Sequence, residues 1–232
     1  ESAVFGGLSN AGQTCISTEE LYVEEKIYED FVAKISNKIK NIRSGLNGDY
    51  GTMIIDDNAK KVNEHIEDAR KNCQIIEGKT DDKNSFIAPA LVLEPSEDSL
   101  IVNEETFGPV ISVRKFNSTE DLIKKIHKTG YGLSSSIFGR DKKKIDEIVK
   151  KLKIGTVSIN DVLTHYGIAS IPFGGEGLSG MGRMHGREGL RSLSRTKSIV
   201  VNRFSFINEI WWIGRSKKIE TLLNKAIDLF FK

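Results

Sequence analysis

The chain has 232 residues, 38% of them hydrophobic and 28% charged, and a formal net charge of +2. This is the composition of an ordinary folded protein with one large domain, and the near balance of charge gives no electrostatic reason to expect a nucleic-acid partner. Two cysteines exclude a disulfide framework, and no apolar run approaches the roughly 20 residues of a spanning helix, so we expect a cytoplasmic protein.

The first elements along the chain are two amphipathic helices. Apolar residues recur at helical spacing over residues 27–45 and 58–72, and Gly45 stands where a helix C-cap is expected. Cys73 directly follows the second helix. We interpret it as a core cysteine, because a free thiol packs as a small hydrophobic group.

Short β-branched runs then alternate with further helices. Helix starts are predicted at Ser118 and Asp141, and the strands at residues 74–76, 86–93, 110–116, 133–138 and 156–159. This alternation predicts an α/β fold with a mostly parallel sheet and flanking helices. Residues 197–201 read as one more strand and residues 216–231 as a C-terminal helix.

Residues 161–189 form a long glycine-rich stretch without a steady period, which is typical of a functional loop. Gly175 to Gly180 match the dinucleotide pattern G-x-G-x-x-G. We reject a phosphate site there, because Pro172 precedes the glycines and no amphipathic helix follows them. Val200 and Val201 stand where the acidic residue should be.

Cys15 lies in the small, polar segment Asn10-Ala-Gly-Gln-Thr-Cys15. A reactive thiol needs access and nearby N–H groups or positive charge, and this setting offers them better than the surroundings of Cys73. The four histidines show no metal-ligand spacing. We expect His65 and His127 on helix surfaces, and a Cys–His dyad with His165 or His185 stays an open alternative.

Three further features occur in order along the chain: Phe5-Gly-Gly-Leu-Ser-Asn-Ala-Gly-Gln-Thr-Cys15, Glu104-Glu-Thr-Phe-Gly-Pro-Val110 and Pro172-Phe-Gly-Gly. They resemble the nucleophile segment, the Glu-Glu-Ile-Phe-Gly-Pro-Val motif and the Pro-Phe-Gly-Gly segment of the aldehyde dehydrogenase family. The resemblance implies that Cys15 is the nucleophile, that Glu105 binds the nicotinamide ribose and that Phe107 packs beside the cofactor. Without it, the two glutamates before the Phe-Gly-Pro bend read as a solvated turn.

The glycine-rich segment most resembles the class 3 and fatty-aldehyde branch of the family. Gly177 and Met184 stand where other branches usually have lysine and a glutamate that assists proton relay, so we assign no such role to Met184. This branch implies medium or long aliphatic or aromatic aldehydes as substrates.

The implied reaction is NAD- or NADP-dependent oxidation of an aldehyde to a carboxylic acid through a thiohemiacetal and a thioester on Cys15. In the family, the glutamate that activates water and the cofactor-binding domain precede the cysteine by more residues than this chain has. We therefore expect them in an N-terminal portion or a separately encoded half, and we expect the isolated chain to be inactive. The alternatives are a non-catalytic interaction domain that retains the fold and a cofactor-independent thiol hydrolase.

The predicted organisation is a catalytic domain at 1–196, a strand at 197–203 and a tail at 204–232. The strand resembles the one that the family lends to a partner subunit, which implies a homo-oligomer. The tail has aromatic stretches at 203–207 and 210–213 and an amphipathic helix with lysines. This helix packs on its own domain or a partner subunit, or it lies in a membrane interface.

Overall fold

The computed structural model describes residues 1–81, 86–204, 212–214 and 216–231, in two compact units, Glu1–Ser194 and Arg195–Lys232. The helices are α1 (Ser2–Leu8), α2 (Tyr28–Asn41), α3 (Asp56–Arg70), α4 (Leu100–Asn103), α5 (Thr119–Lys128), α6 (Lys142–Lys151), α7 (Gly186–Ser192) and α8 (Lys217–Phe231). The strands are β1 (Glu20–Glu24), β2 (Arg43–Ser44), β3 (Gln74–Glu77), β4 (Lys79–Thr80), β5 (Ala90–Leu93), β6 (Val110–Phe116), β7 (Tyr131–Gly132), β8 (Ser134–Ile137), β9 (Thr156–Ile159) and β10 (Glu176–Gly177).

A four-stranded sheet in the order β1-β6-β5-β3 forms the centre of the first unit. Strand β6 runs parallel to both of its neighbours, whereas β3 is antiparallel to β5. Ala90, Leu91 and Val92 of β5 are fully buried, as expected for a strand that helices cover on both faces. Strands β8 and β9 form a separate parallel pair. The predicted α/β fold with a mostly parallel sheet and flanking helices is confirmed.

The helices bury the apolar faces that the sequence pattern predicts. Ile39 of α2 and Val62 of α3 have no exposed surface and lie in one core with β5 and β6. Ser118 is the N-cap of α5, and its hydroxyl accepts the N–H of Asp121 at 3.1 Å. Asp141 is the N-cap of α6, and its carboxylate accepts the N–H of Lys144 at 3.1 Å. Both predicted helix starts are confirmed.

Two predicted boundaries are wrong, each for a local reason. Helix α2 ends at Asn41, and Gly45 is not its C-cap, because the chain becomes extended at once and β2 pairs with β4. The strand predicted over 86–93 begins only at Ala90. Pro89 directly before it has no N–H to donate to a strand ladder.

Residues 197–201 do not form a strand in the described chain. Ile199, Val200 and Val201 are exposed, and no neighbouring strand pairs with them. A strand needs a hydrogen-bonded partner. Pairing with another subunit therefore stays a prediction.

In the second unit, α8 confirms the predicted C-terminal helix. Its Leu222 and Phe230 are exposed. The predicted aromatic stretches at 203–207 and 210–213 lie mostly outside the described residues. None of the described helices has both the length and the apolar character needed to cross a bilayer.

Candidate active site

Cys15 lies in the loop between α1 and β1, residues 9–18, which we call the cysteine loop. Its side chain is exposed and forms no disulfide. Cys73 is half-buried and packs against the main hydrophobic core, as the sequence predicts. Of the two thiols, that of Cys15 is therefore the more accessible to a reagent in solution.

The cysteine loop begins with three consecutive residues in the left-handed region. The φ angles of Asn10, Ala11 and Gly12 are 54°, 57° and 71°. This conformation costs about 1–2 kcal/mol for a residue with a Cβ, and such strain is concentrated at functional sites. It makes the tight turn that presents Cys15 at the surface.

Gln13 anchors this turn to a distant part of the chain. Its buried side-chain amide donates to the carbonyl oxygens of Asn10 at 3.0 Å and Thr52 at 3.3 Å, and it accepts the N–H of Ile54 at 2.8 Å. Every donor and acceptor atom of the amide thus has a partner. The glutamine of the motif is a structural clamp for the cysteine loop.

Residues 104–109, between α4 and β6, form a second loop, which we call the glutamate loop. The carboxylate of Glu104 lies 3.7 Å from Nζ of Lys61 and 3.8 Å from Nε2 of His65. Glu105 is exposed, and its carboxylate has no hydrogen bond or ion pair with any residue that the structure describes. A free carboxylate fits the pair of ribose hydroxyls of NAD(P), and Glu105 offers one.

The glutamate loop is held from two sides. From α3, Nζ of Lys61 donates to the carbonyl oxygen of Glu105 at 2.7 Å, and Nδ1 of His65 lies 3.1 Å from Oγ1 of Thr106. From the residue just before β1, the carboxylate of Glu19 accepts the N–H groups of Thr106 and Phe107, both at 2.8 Å. Four hydrogen bonds therefore fix the backbone and the Thr106 side chain of this loop.

The predicted surface position of His65 is wrong. Its side chain is 2% exposed, because residue 65 lies on the buried face of α3, and Thr106 satisfies one of its ring nitrogens. Burial, together with the positive charge of Lys61, lowers the pKa of His65. The half-buried His127 accepts the N–H of Lys153 at 3.1 Å.

The carboxyl group of Glu19 has a strongly raised pKa. Burial, with a smaller contribution from the negative charges of Glu105 and Glu20, raises the pKa of Glu19 to about 7, although the two backbone N–H groups lower it. The carboxyl group therefore titrates near neutral pH.

The cysteine loop and the glutamate loop touch through their backbones. A Cβ on Gly12 would lie 2.0 Å from the carbonyl oxygen of Gly108, so the two chains approach too closely for any side chain. Cys15, Glu104 and Glu105 line one cleft of about 1040 Å³, which Phe107 does not line. Two of the three predicted site residues, Cys15 and Glu105, thus share a cleft.

The glycine-rich loop is closed by Phe173, whose backbone N–H and carbonyl both bond to Met184. The buried Phe173 ring contacts those of Tyr166, His165 and His185. His165 hydrogen-bonds to Ser158 at 3.2 Å, and neither it nor His185 has a described hydrogen bond to Cys15. The described contacts offer no support for a Cys–His dyad.

The rejected dinucleotide pattern lacks the helix that it would need. Glu176 and Gly177 pair with β7, and the next helix, the seven-residue α7, begins only at Gly186, six residues after Gly180. No three His, Cys, Asp or Glu side chains of the described residues group as metal ligands.

Comparison with known proteins identifies the family. The profile described as the Aldehyde dehydrogenase family matches residues 1–199. Over 204 residues the chain is 32% identical to a putative succinate-semialdehyde dehydrogenase [NADP(+)] of Mycobacterium ulcerans, covering 84% of this chain and 39% of the relative. Over 217 residues it is 32% identical to 4,4'-diapolycopene aldehyde oxidase of a Methylomonas species, covering 93% of this chain and 41% of the relative. The chain thus spans about two fifths of the length of these curated relatives.

Solved structures agree with the sequence comparison. The NAD+ complex of aldehyde dehydrogenase from Bacillus cereus matches with a TM-score of 0.81 and 30% identity, over 88% of this chain and 42% of that one. Betaine aldehyde dehydrogenase from Staphylococcus aureus, also in complex with NAD+, matches with a TM-score of 0.77 and 30% identity, over 88% and 44% of the two chains. The chain belongs to the aldehyde dehydrogenase family.

Proposed function

We propose that this chain is the catalytic-cysteine part of an NAD- or NADP-dependent aldehyde dehydrogenase. The observation that carries the proposal is the cleft that the exposed Cys15 and the unpaired Glu105 share. In this role Cys15 is the nucleophile, Glu105 binds the ribose hydroxyls, and Phe107 packs beside the cofactor, as in the family.

The reaction begins when the thiolate of Cys15 attacks the aldehyde carbon and the carbonyl oxygen becomes an oxyanion. The backbone N–H of Cys15 has no partner among the hydrogen bonds of the described residues, so it is available to stabilise that oxyanion. The chemistry that NAD(P) supplies when bound is acceptance of a hydride from the same carbon. Water then releases the carboxylic acid from the thioester on Cys15.

The proposal assigns the base that activates this water, and most of the cofactor cleft, to polypeptide outside these 232 residues. Its source is an N-terminal portion of the same protein or a separately encoded half. We also propose self-association through the exposed strand-like residues 197–203, whose apolar side chains have no partner strand in the described chain.

Two classes of aldehyde are candidate substrates. The glycine-rich segment favours the class 3 branch and medium or long aliphatic or aromatic aldehydes, whereas the relatives are named for succinate semialdehyde and for diapolycopene aldehyde. The two substrate classes are distinguished by assaying the complete enzyme with succinate semialdehyde and with long-chain aldehydes. Higher kcat/KM for succinate semialdehyde contradicts the class 3 assignment.

On location we propose a cytoplasmic protein, whose tail packs on its own domain or a partner subunit or associates with a membrane surface. Residues 195–232 contain eight Lys and Arg residues against three Asp and Glu residues. A basic amphipathic helix such as α8 favours the interface of an anionic bilayer.

The role of Cys15 is tested by alkylating the folded chain with iodoacetamide and mapping the label by peptide mass. We expect Cys15 to be modified first, Cys15→Ser to abolish the rapid phase, and the matched Cys73→Ser control to retain it. Preferential labelling of Cys73 contradicts the assignment.

Activity assays separate the alternatives. We expect no aldehyde-dependent NAD(P)H formation by the isolated chain, and at most slow, cofactor-free ester hydrolysis that Cys15→Ser removes. Robust NAD(P)H formation would refute the assignment of the base to another segment. Fast ester turnover favours a thiol hydrolase. If Cys15 is unreactive, and if the chain has no activity even together with the proposed N-terminal portion or separately encoded half, a non-catalytic interaction domain is favoured.

A further inference from the structure

Glu19, which lies outside the recognised motifs, hydrogen-bonds both to the glutamate loop and to strand β6, which follows that loop. Each carboxylate oxygen of Glu19 accepts one backbone N–H, from Thr106 and from Phe107. The carbonyl oxygen of Glu19 accepts the N–H of Ser112 in β6 at 2.8 Å. Glu19 itself follows the cysteine loop directly, four residues after Cys15. It is thus the covalent neighbour of one loop and the hydrogen-bonding partner of the other.

The glutamate loop needs such a partner. Phe107 has a left-handed φ of 53°, which is unfavourable for a residue with a side chain. Without Glu19, the buried N–H of Thr106 and the N–H of Phe107 would both lose their acceptor, and an unsatisfied buried donor is costly. Lys61 and His65 hold other atoms of the loop and cannot replace these two bonds.

We propose that Glu19 is a positioning residue that ties the glutamate loop to the cysteine loop and so sets where Glu105 stands relative to Cys15. The meaning of this position for catalysis rests on the proposed function. The link between the two loops rests on the hydrogen bonds of Glu19, and it can be tested without an assay of enzyme activity.

This link depends on pH. An ionised carboxylate accepts a hydrogen bond on each oxygen, whereas a protonated one carries its own proton on one of them. Because the pKa of Glu19 is raised to about 7 in the folded chain, protonation stabilises the buried carboxyl group, and release of Glu19 into water becomes easier as the pH rises through 7. The other charged or titratable groups around the two loops include Cys15, Glu20, Tyr22, Glu104, Glu105, Lys61, His65 and Arg114.

The experiment is amide hydrogen exchange of the 232-residue chain, resolved at Thr106 and Phe107. In Glu19→Gln the side chain keeps its shape but presents an NH2 group to one of the two N–H donors. We expect exchange at these two amides to accelerate about ten-fold or more at pH 8. The matched control is Glu20→Gln, whose carboxylate accepts the hydroxyl of Tyr22 at 2.6 Å instead. In Glu20→Gln we expect exchange at the Thr106 and Phe107 amides to be unchanged from the wild type.

The wild-type chain supplies a second measurement that needs no variant. Protection of the two amides, corrected for the intrinsic effect of pH on exchange, should be higher at pH 6 than at pH 8 in the wild type and should stay constant in Glu19→Gln. Unchanged exchange in Glu19→Gln, or a flat wild-type profile, overturns the proposal. Failure of Cys15 labelling or of turnover leaves these readouts unaffected, so the two proposals fail separately.

Discussion

Gly12 stands at the contact between the cysteine loop and the glutamate loop, and Gly12→Ala tests whether that contact holds the site together. The new methyl group would lie 2.0 Å from the carbonyl oxygen of Gly108, a backbone atom that no rotamer change can move. The left-handed φ of 71° adds strain for alanine. Left-handed backbone costs about 1–2 kcal/mol and overpacking about 1–3 kcal/mol, so we expect a loss of about 2–5 kcal/mol in the free energy of unfolding.

Urea unfolding followed by circular dichroism at 222 nm measures this loss as a lower midpoint at an unchanged slope. The matched control is Gly167→Ala, because Gly167 has no left-handed φ and no atom within 4 Å of its Cβ position. We expect that variant to be within about 1 kcal/mol of wild type. If Gly12→Ala is as stable as Gly167→Ala, the close approach of the two loops is wrong.

Three further predictions follow from the site and the tail. In the complete enzyme, Glu105→Gln should slow hydride transfer about ten-fold or more through loss of a charge-assisted hydrogen bond; equal or greater damage from Glu104→Gln would reverse the assignment. The raised pKa of Glu19, about 7, means that the folded chain holds a proton that the unfolded chain releases near pH 4.5. Relative to Glu19→Gln, the unfolding free energy of the wild type should therefore fall by about 3 kcal/mol as the pH rises from 4.5 to above 7, and a constant difference in urea titrations refutes this. Flotation with anionic liposomes should recover the whole chain but not one that ends at Arg203, and binding that the truncation leaves unchanged, or no binding at all, removes the membrane proposal.

Much of the fold could be predicted because its signals are local. Helical spacing located α2 and α3, the side chains of Ser118 and Asp141 marked two helix starts, and β-branched runs located β6 and β9. Each of these patterns lies within about fifteen residues and reflects the geometry of a single element. The predicted boundaries failed where a distant segment intervened, as when pairing with β4 drew the chain after Asn41 into β2.

The candidate site, like the fold, could be predicted from the sequence only in part. The motif around Cys15 and the pair Glu104 and Glu105 identified the family and two residues of the cleft from sequence alone. Only the structure shows that Lys61 and His65 contact Glu104 and that Glu105 is unpaired, a difference that supports the proposed choice between the two glutamates.

The roles of Glu19 and His65 could be seen only in the tertiary structure. In the sequence, no motif marks Glu19, and His65 looks like a surface residue. The partners of Glu19 are 87 and 88 residues away, and the partner of His65 is 41 residues away. A hydrophobic pattern specifies which face of an element is buried, but not which polar atoms meet across it. That pairing was decided when the sheet brought the start of β1 beside the loop before β6, because a buried carboxylate or imidazole is tolerated only where donors or acceptors from another element satisfy it.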